Sequence, residues 1–177
     1  LQNAGPQMFR IRAALAATMS STWGLYSGYE FCENEPYPGK EEYNHSEKYQ
    51  LVARDWNAPG NIKAFIRQLN RIRRENPAMH LYDNLHFHHA DHSDILCYSK
   101  STPDFSSRIL CIVSLNPHQQ AASLVRIDLP ALGLSADGPY RVTDLMHPGA
   151  SYEWRGAENY VVLRPDGVSM HLFKVET

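Results

Sequence analysis

Trp23-Gly24-Leu25-Tyr26-Ser27-Gly28 is a short apolar run lying between two helical patterns, and its reading decides the first half of the chain. It reads as a short buried strand. Before it, residues 7 to 20 read as a helix. Pro6 suits a first-turn position, where its missing N–H costs nothing. Met8, Ile11, Leu15 and Met19 fall at helical spacings, with Ala13, Ala14, Ala16 and Ala17 between them. Such small residues permit close approach to a sheet. After the run comes a long polar loop over residues 30 to 57. Loops of this length are functional or disordered, and Tyr37, Tyr43 and Tyr49 argue against disorder. Residues 61 to 76 form a second helix with the apolar stripe Ile62, Phe65, Ile66, Leu69 and Ile72. Lys63, Arg67, Arg71, Arg73 and Arg74 lie mostly off that stripe, and Pro77 ends the helix. Helix, strand, loop, helix is the unit of a parallel α/β fold. One strand makes no sheet, so the run around Leu25 is expected to expose apolar surface unless further strands are supplied.

The pattern changes near Pro77. Beyond it, eight short strands are expected, at 84–89, 94–100, 108–115, 121–128, 140–145, 150–154, 158–163 and 168–175. Asn116-Pro117, Asp137-Gly138-Pro139, Pro148-Gly149 and Pro165-Asp166-Gly167 mark turns between them. Short strands at regular spacing point to an antiparallel β-sandwich.

The size of the chain limits this reading. Its 177 residues can support a real core, but a complete (β/α)8 barrel needs about 250 residues. Hydrophobic residues at 43% and charged residues at 20% are in the globular range. A net charge of −2 gives no basic field for nucleic acid. No apolar stretch approaches the ~18 residues of a membrane span. Cys32, Cys97 and Cys111 are far apart and odd in number, which suits reduced, partly buried thiols in a cytosolic protein. The opening Leu1-Gln2-Asn3-Ala4-Gly5-Pro6 reads as the middle of a longer chain.

Four clusters invite a chemical reading, each with a plainer alternative. Glu30, Glu33, Asn34 and Glu35 follow the apolar run, where the active-site loops of α/β units lie. Paired carboxylates there suit general acid and base work, but acids capping a solvated loop are the commoner case. Lys48 and Tyr49, within Ser46-Glu47-Lys48-Tyr49, could hold a phosphate through an ammonium and a phenol; on residue type alone Lys48 is an exposed lysine. His86, His88, His89, Asp91 and His92 could ligate a metal, but His86 and His88 alternate with Leu85 and Phe87 as on a wet strand face, and no zinc-type spacing is present. The basic face from Arg67 to Arg74 suits cations near a helix C-terminus. Tyr152 and Trp154 could stack on a sugar, although such aromatics are more often cross-strand packing pairs.

The run Trp23 to Glu30 resembles the eighth barrel strand of the α-amylase superfamily, glycoside hydrolase family 13. Phe31-Cys32-Glu33-Asn34-Glu35-Pro36, Ser46-Glu47-Lys48-Tyr49-Gln50-Leu51 and Arg54-Asp55-Trp56 narrow this to the α-1,4-glucan:maltose-1-phosphate maltosyltransferases. Phe9 to Ala14, Ile72 to Pro77, Val142-Thr143-Asp144-Leu145, Tyr152 to Gly156 and His171 to Val175 are also similar to that family. The resemblance implies an α/β plus all-β chain: the last βα unit of a (β/α)8 TIM barrel, followed by a C-terminal antiparallel β-sandwich. Residues 1–78 would be helix 7, strand 8, the substrate loop and helix 8. Residues 79–177 would be the sandwich.

The implied chemistry is retaining transfer of a maltosyl unit from α-maltose 1-phosphate to α-1,4-glucan, through a covalent maltosyl-enzyme. The family's catalytic carboxylates belong to earlier barrel strands. None matches Glu30, Glu33 or Glu35, and residues 1–177 alone are expected to be inactive. Lys48 and Tyr49 match the family's Lys-Tyr pair for maltose 1-phosphate. The resemblance further implies a cytoplasmic homodimer, no metal or organic cofactor, and no nucleic-acid or membrane partner. The alternatives are an α-amylase-type hydrolase or other transglycosidase, or a free-standing glucan-binding β-sandwich module.

Overall fold

In a computed structural model, residues 1, 4–39, 43, 44, 51–165, 167 and 169–177 are described. Two helices, α1 (Gly5–Met19) and α2 (Lys63–Glu75), precede eight strands. These are β1 (Leu85–Ala90), β2 (Ile95–Ser101), β3 (Arg108–Ser114), β4 (Ala121–Arg126), β5 (Pro139–Asp144), β6 (Ser151–Arg155), β7 (Glu158–Leu163) and β8 (Met170–Glu176). All eight match expected strands to within a few residues. Among the described residues, no helix is long and apolar enough to cross a membrane.

Every strand pairing is antiparallel, in the order β6-β5-β8-β3-β2-β1-β4-β7. β1 belongs to two sheets. Its first part, Leu85 to His88, pairs with β2, and its end, His89 and Ala90, pairs with β4. This change of partner folds β4 and β7 over the larger sheet. Ile95, Cys97, Leu110, Ile112, Phe173 and Val175 of the larger sheet then meet Ala121, Val125, Val161 and Leu163. The domain is therefore an antiparallel sandwich, in which the short link Gly156-Ala157 carries the chain from β6 at one edge to β7 at the other.

The helices form a third layer on the other face of the larger sheet. β3 shows why: alternate strand residues face opposite sides, and here both sides are apolar. Leu110 and Ile112 face the sandwich interior, whereas Ile109, Cys111 and Val113 face the helices. Tyr98, Met170 and Leu172 extend the helix-facing side, against Phe9, Ile11, Ala14, Ala17, Phe65, Leu69 and Ile72. The alanines of α1 act as expected: Ala14 and Ala17 are fully buried and let the helix lie close to the sheet. The stripe of α2 is buried at Ile62, Phe65, Leu69 and Ile72, while Ile66 stays partly exposed.

Polar groups fix this packing. Tyr98 is buried, and its hydroxyl donates to Thr18 Oγ1 at 2.5 Å; the Thr18 hydroxyl donates to the Ala14 carbonyl at 2.7 Å. Arg73 does not stand on a solvated face. Instead its guanidinium is partly buried and donates to carbonyls at the end of α1: Ala17, Ser20 at 2.9 Å and Ser21 at 2.6 Å. Those carbonyls have no partner within their own helix, so α2 caps α1.

The Trp23–Gly28 run is not a strand in this structure, and among the described residues no β-strand precedes Leu85. No neighbouring strand accepts its backbone groups, so it takes an irregular path that turns at Ser27-Gly28 into a short 3₁₀ helix, Tyr29–Phe31. Side chains hold it: Trp23 Nε1 donates to Asn70 Oδ1 at 3.1 Å, and the Tyr26 hydroxyl to the Glu33 carbonyl at 2.7 Å. Leu25 remains 37% exposed, in line with the expected apolar surface.

Because β3 is the wall of both cores, the helical layer and the sandwich should unfold together. Phe9→Ala, at a fully buried position of α1, should cost about 3–5 kcal/mol. Urea unfolding followed by circular dichroism should show one transition at a lower midpoint. Two transitions, with the strand signal at its original midpoint, would contradict the shared core.

Candidate functional site

The 30–57 loop springs from the turn at Gly28, whose φ is +101°. A Cβ there would lie 2.0 Å from Glu33 Oε2, so only glycine admits Glu33 at this distance. Glu33 forms a two-point pair with Arg54, Nε–Oε1 at 2.8 Å and Nη2–Oε2 at 2.9 Å. Arg54 Nη1 also donates to Ser27 Oγ at 3.1 Å. This fork joins the two ends of the loop, a geometry that lysine cannot reproduce. The hydrogen bonds Arg54 donates to Glu33 push its pKa up against the opposing effect of burial. A second tie lies further out, where Asn44 N–H donates to the Glu35 carbonyl at 2.8 Å beside the Pro36–Tyr43 bridge. Glu30 serves the fold through its carbonyl, which accepts from Ile62 N–H at 2.8 Å. Glu33 is thus engaged in structure, and Glu30 helps to seat α2.

Lys48 and Tyr49, the expected phosphate-binding pair, lie outside the described residues. Nearby in the chain, Phe31 and Trp56 meet edge to face at 5.3 Å. Lys63 lies over both rings, at 5.7 and 5.4 Å, and its ammonium donates to the Trp56 carbonyl. Trp56 and Lys63 border a groove of about 690 Å³, lined also by Leu25, Ile66, Arg67, Arg71, Arg74 and Glu30.

The histidines of β1 do not converge. His86 pairs with Asp128 at 2.9 Å, and His89 with Asp91 at 2.9 Å; Asp91 also holds Arg126, which reaches Glu158 at 2.8 Å. His92 Nδ1 accepts from Asp94 N–H at 3.1 Å. Nor is this a simple wet face, because Phe87 is 53% exposed while His88 is partly buried. Trp154 packs across the strands, as in the plainer reading, while Tyr152 stays 47% exposed. Trp154 sits opposite Tyr140 in the β5–β6 register and meets Phe173 edge to face at 5.3 Å; Tyr152 meets Phe173 at 6.2 Å.

A cluster that sequence spacing did not reveal lies at the end of β5. Asp144 is buried, and its Oδ2 is 2.8 Å from His147 Nδ1 and 2.7 Å from His171 Nδ1. Its Oδ1 accepts from Met146 N–H at 2.9 Å. Burial opposes ionisation of this carboxyl, but the hydrogen bonds from His171, His147 and Met146 outweigh it and hold the pKa below the ordinary carboxylate value. Asp144 and His171 fall in two stretches that carry the family resemblance, Val142–Leu145 and His171–Val175. β5 and β8 are neighbours in the sheet, and only that pairing brings the two side chains together.

His88 gives a pH test of the sandwich. Its Nδ1 accepts from Asp128 N–H at 3.1 Å, so its Nε2 carries the proton facing Ser99 Oγ at 2.8 Å. Burial and the neighbouring His86 ring lower its pKa from 6.5 to about 4, against a small opposing pull from Asp128. The unfolded chain therefore takes up this proton first. Stability present above pH 6.5 should be lost progressively as the pH falls toward 4. Urea midpoints measured across this window should fall less steeply for His88→Gln than for the unaltered chain. Equal slopes would contradict the assignment.

A family model described as "GLGE, C-terminal" matches residues 87–175. The chain is 49% identical over 94% of its length to the α-1,4-glucan:maltose-1-phosphate maltosyltransferase of Myxococcus xanthus. It is 44% identical over 99% of its length to maltosyltransferase 2 of Streptomyces coelicolor and 44% identical over 98% to that of Corynebacterium glutamicum. It spans about a quarter of the length of these relatives, at 25–26%. Among solved structures, AmyP in complex with maltotriose shares the fold with a TM-score of 0.64 at 15% identity, over 97% of this chain and 35% of that one. A gamma-CGTase from an alkalophilic Bacillus clarkii matches with a TM-score of 0.60 at 15% identity, over 100% of this chain and 24% of its own. Matched by the model over half its residues, on the eight-stranded domain and its Asp144 and His171 stretches, the chain belongs to the GLGE C-terminal family.

Proposed function

We propose that this chain is the C-terminal portion of an α-1,4-glucan:maltose-1-phosphate maltosyltransferase, a cytoplasmic homodimer that extends α-1,4-glucan from α-maltose 1-phosphate and releases phosphate. The observation that carries this reading is identity of 42–49% to proteins of that name over nearly all of the chain. Residues 1–78 are then the end of a (β/α)8 barrel, and residues 79–177 are the sandwich behind it. Exposed Leu25 and Trp56 support this, since the apolar side of their groove is surface that a neighbouring barrel element would cover.

In this reading the chemistry is retaining. A carboxylate supplied by the rest of the barrel displaces phosphate from the anomeric carbon of maltose 1-phosphate. A glucan 4-hydroxyl then takes the maltosyl unit from that carboxylate. A second carboxyl protonates the departing phosphate oxygen and afterwards removes the proton from the attacking hydroxyl. The part of this chain is to hold the donor. Lys48 supplies a cation to the phosphate and Tyr49 a phenol beside it. The Glu33–Arg54 pair joins described residues on either side of the segment that carries them.

The test uses the complete enzyme. A lost charge-assisted contact is worth roughly 1.5–3 kcal/mol, so Lys48→Ala should lower kcat/KM for maltose 1-phosphate about 10- to 100-fold. The readout is phosphate released in the presence of glucan. Lys174→Ala, which removes an exposed lysine paired with Glu176, should leave it unchanged. Equal kinetics for the two variants would overturn the role of Lys48. Release of free maltose without chain extension would point to a hydrolase.

A further inference from the structure

We infer that Asp144, His147 and His171 form a binding site for a divalent transition metal, with zinc as the natural probe. Two imidazole nitrogens and one carboxylate oxygen, all within 4.8 Å of one another, converge at the end of β5. That donor set suits zinc, copper, nickel or ferrous iron rather than magnesium or calcium, which take oxygen ligands.

The hydrogen bonds around the cluster favour a cation at its centre. His171 Nε2 lies 3.2 Å from the Val162 carbonyl. A carbonyl only accepts, so Nε2 carries the proton. Nδ1 hydrogen-bonds to Asp144 Oδ2 at 2.7 Å. A divalent ion at this position would replace the proton of that hydrogen bond and take the Nδ1 and Oδ2 lone pairs as ligands. The orientation of His171 is the one metal-binding histidines adopt, with the far N–H donated to a backbone carbonyl. Its ring is also stacked on Phe173 at 5.0 Å, with 11° between the planes.

The carboxylate is equally well held. Oδ1 accepts from Met146 N–H at 2.9 Å, which leaves Oδ2 directed at the two imidazoles. His147 reaches Oδ2 from the β5–β6 turn, which Ala150 N–H closes onto the His147 carbonyl at 3.0 Å. A cavity of about 330 Å³ borders the three side chains and has room for water as further ligands. Arg164 lines the same cavity, and its charge opposes a cation there. The carboxylate is nearer, in direct contact with both imidazoles, and sets the local sign. This inference does not depend on the maltosyltransferase reading.

The test is calorimetric titration of the chain with zinc, after removal of bound metal by a chelator. One ion should bind per chain. His147→Ala changes a half-exposed side chain in a turn, and should weaken binding at least tenfold without loss of the folded sandwich. Asp144→Asn should abolish it. His86→Ala and His89→Ala remove exposed histidines that have other partners, and should bind zinc as the unaltered chain does. Zinc should also raise the Tm of the unaltered chain and raise that of His147→Ala less. Absence of binding up to 100-fold excess would mean that only a proton occupies the position. Undiminished binding by His147→Ala would place the ion elsewhere. Either result overturns the site.

Discussion

Residues 108–114 carry a constraint on which the rest of the structure depends: β3 must be apolar on both faces. Most strands of a sandwich turn one side to water. β3 has sandwich on one side and helix on the other, so Ile109, Cys111 and Val113 serve one core while Leu110 and Ile112 serve the second. With side chains alternating, a slip of one residue in register would keep both faces apolar but exchange their shapes. Register is instead held by neighbours with specific partners. Tyr98 on β2 ends in a hydrogen bond to Thr18 of α1, and His171 on β8 ends in one to Asp144. The polar groups thus fix what the apolar groups leave open. Arg73 adds the remaining restraint, tying α2 to the carbonyls that end α1.

Much of this was legible from residue pattern. The eight strands announced themselves by short apolar segments between Pro, Gly and Asn turns, and those signals are local. The two helices were legible for the same reason. The run Trp23–Gly28 was not, because an apolar hexapeptide has the same composition as a strand or as an irregular segment packed by its side chains. What decides between them is a neighbouring strand, and none of the described residues supplies one. The partner of Arg73 was not legible, because nothing in an arginine at a helix end tells whether it meets water or another helix. The histidines illustrate the same limit. Those close in sequence, from His86 to His92, separate onto different partners, whereas Asp144 and His171, far apart in sequence, are brought together by the pairing of β5 with β8.

For function, the consequence is a division of labour within the chain. Of the loop acids nearest the sequence motif, Glu33 is paired with Arg54, and the Glu30 carboxylate accepts from Gly28 N–H at 3.3 Å. The family resemblance matches neither to a catalytic position. What they build is a base. Gly28 lets Glu33 in, Glu33 holds Arg54, and the chain between returns to the point from which it left. The three-layer packing beneath it then links this base, through Tyr29 and Phe9, to the wall formed by β3.

The central claim is that the helices and the sandwich are one cooperative unit with β3 as the shared wall. Native-state hydrogen exchange by mass spectrometry measures this most directly, because it reports the opening free energy of each element separately. The account predicts that the slowest amides of α1 and of β3 exchange through the same global opening, with equal free energies and equal denaturant dependence. If the α1 amides exchanged through a separate opening, several kcal/mol below that of β3, the helical layer would be an independent appendage and the account would be wrong.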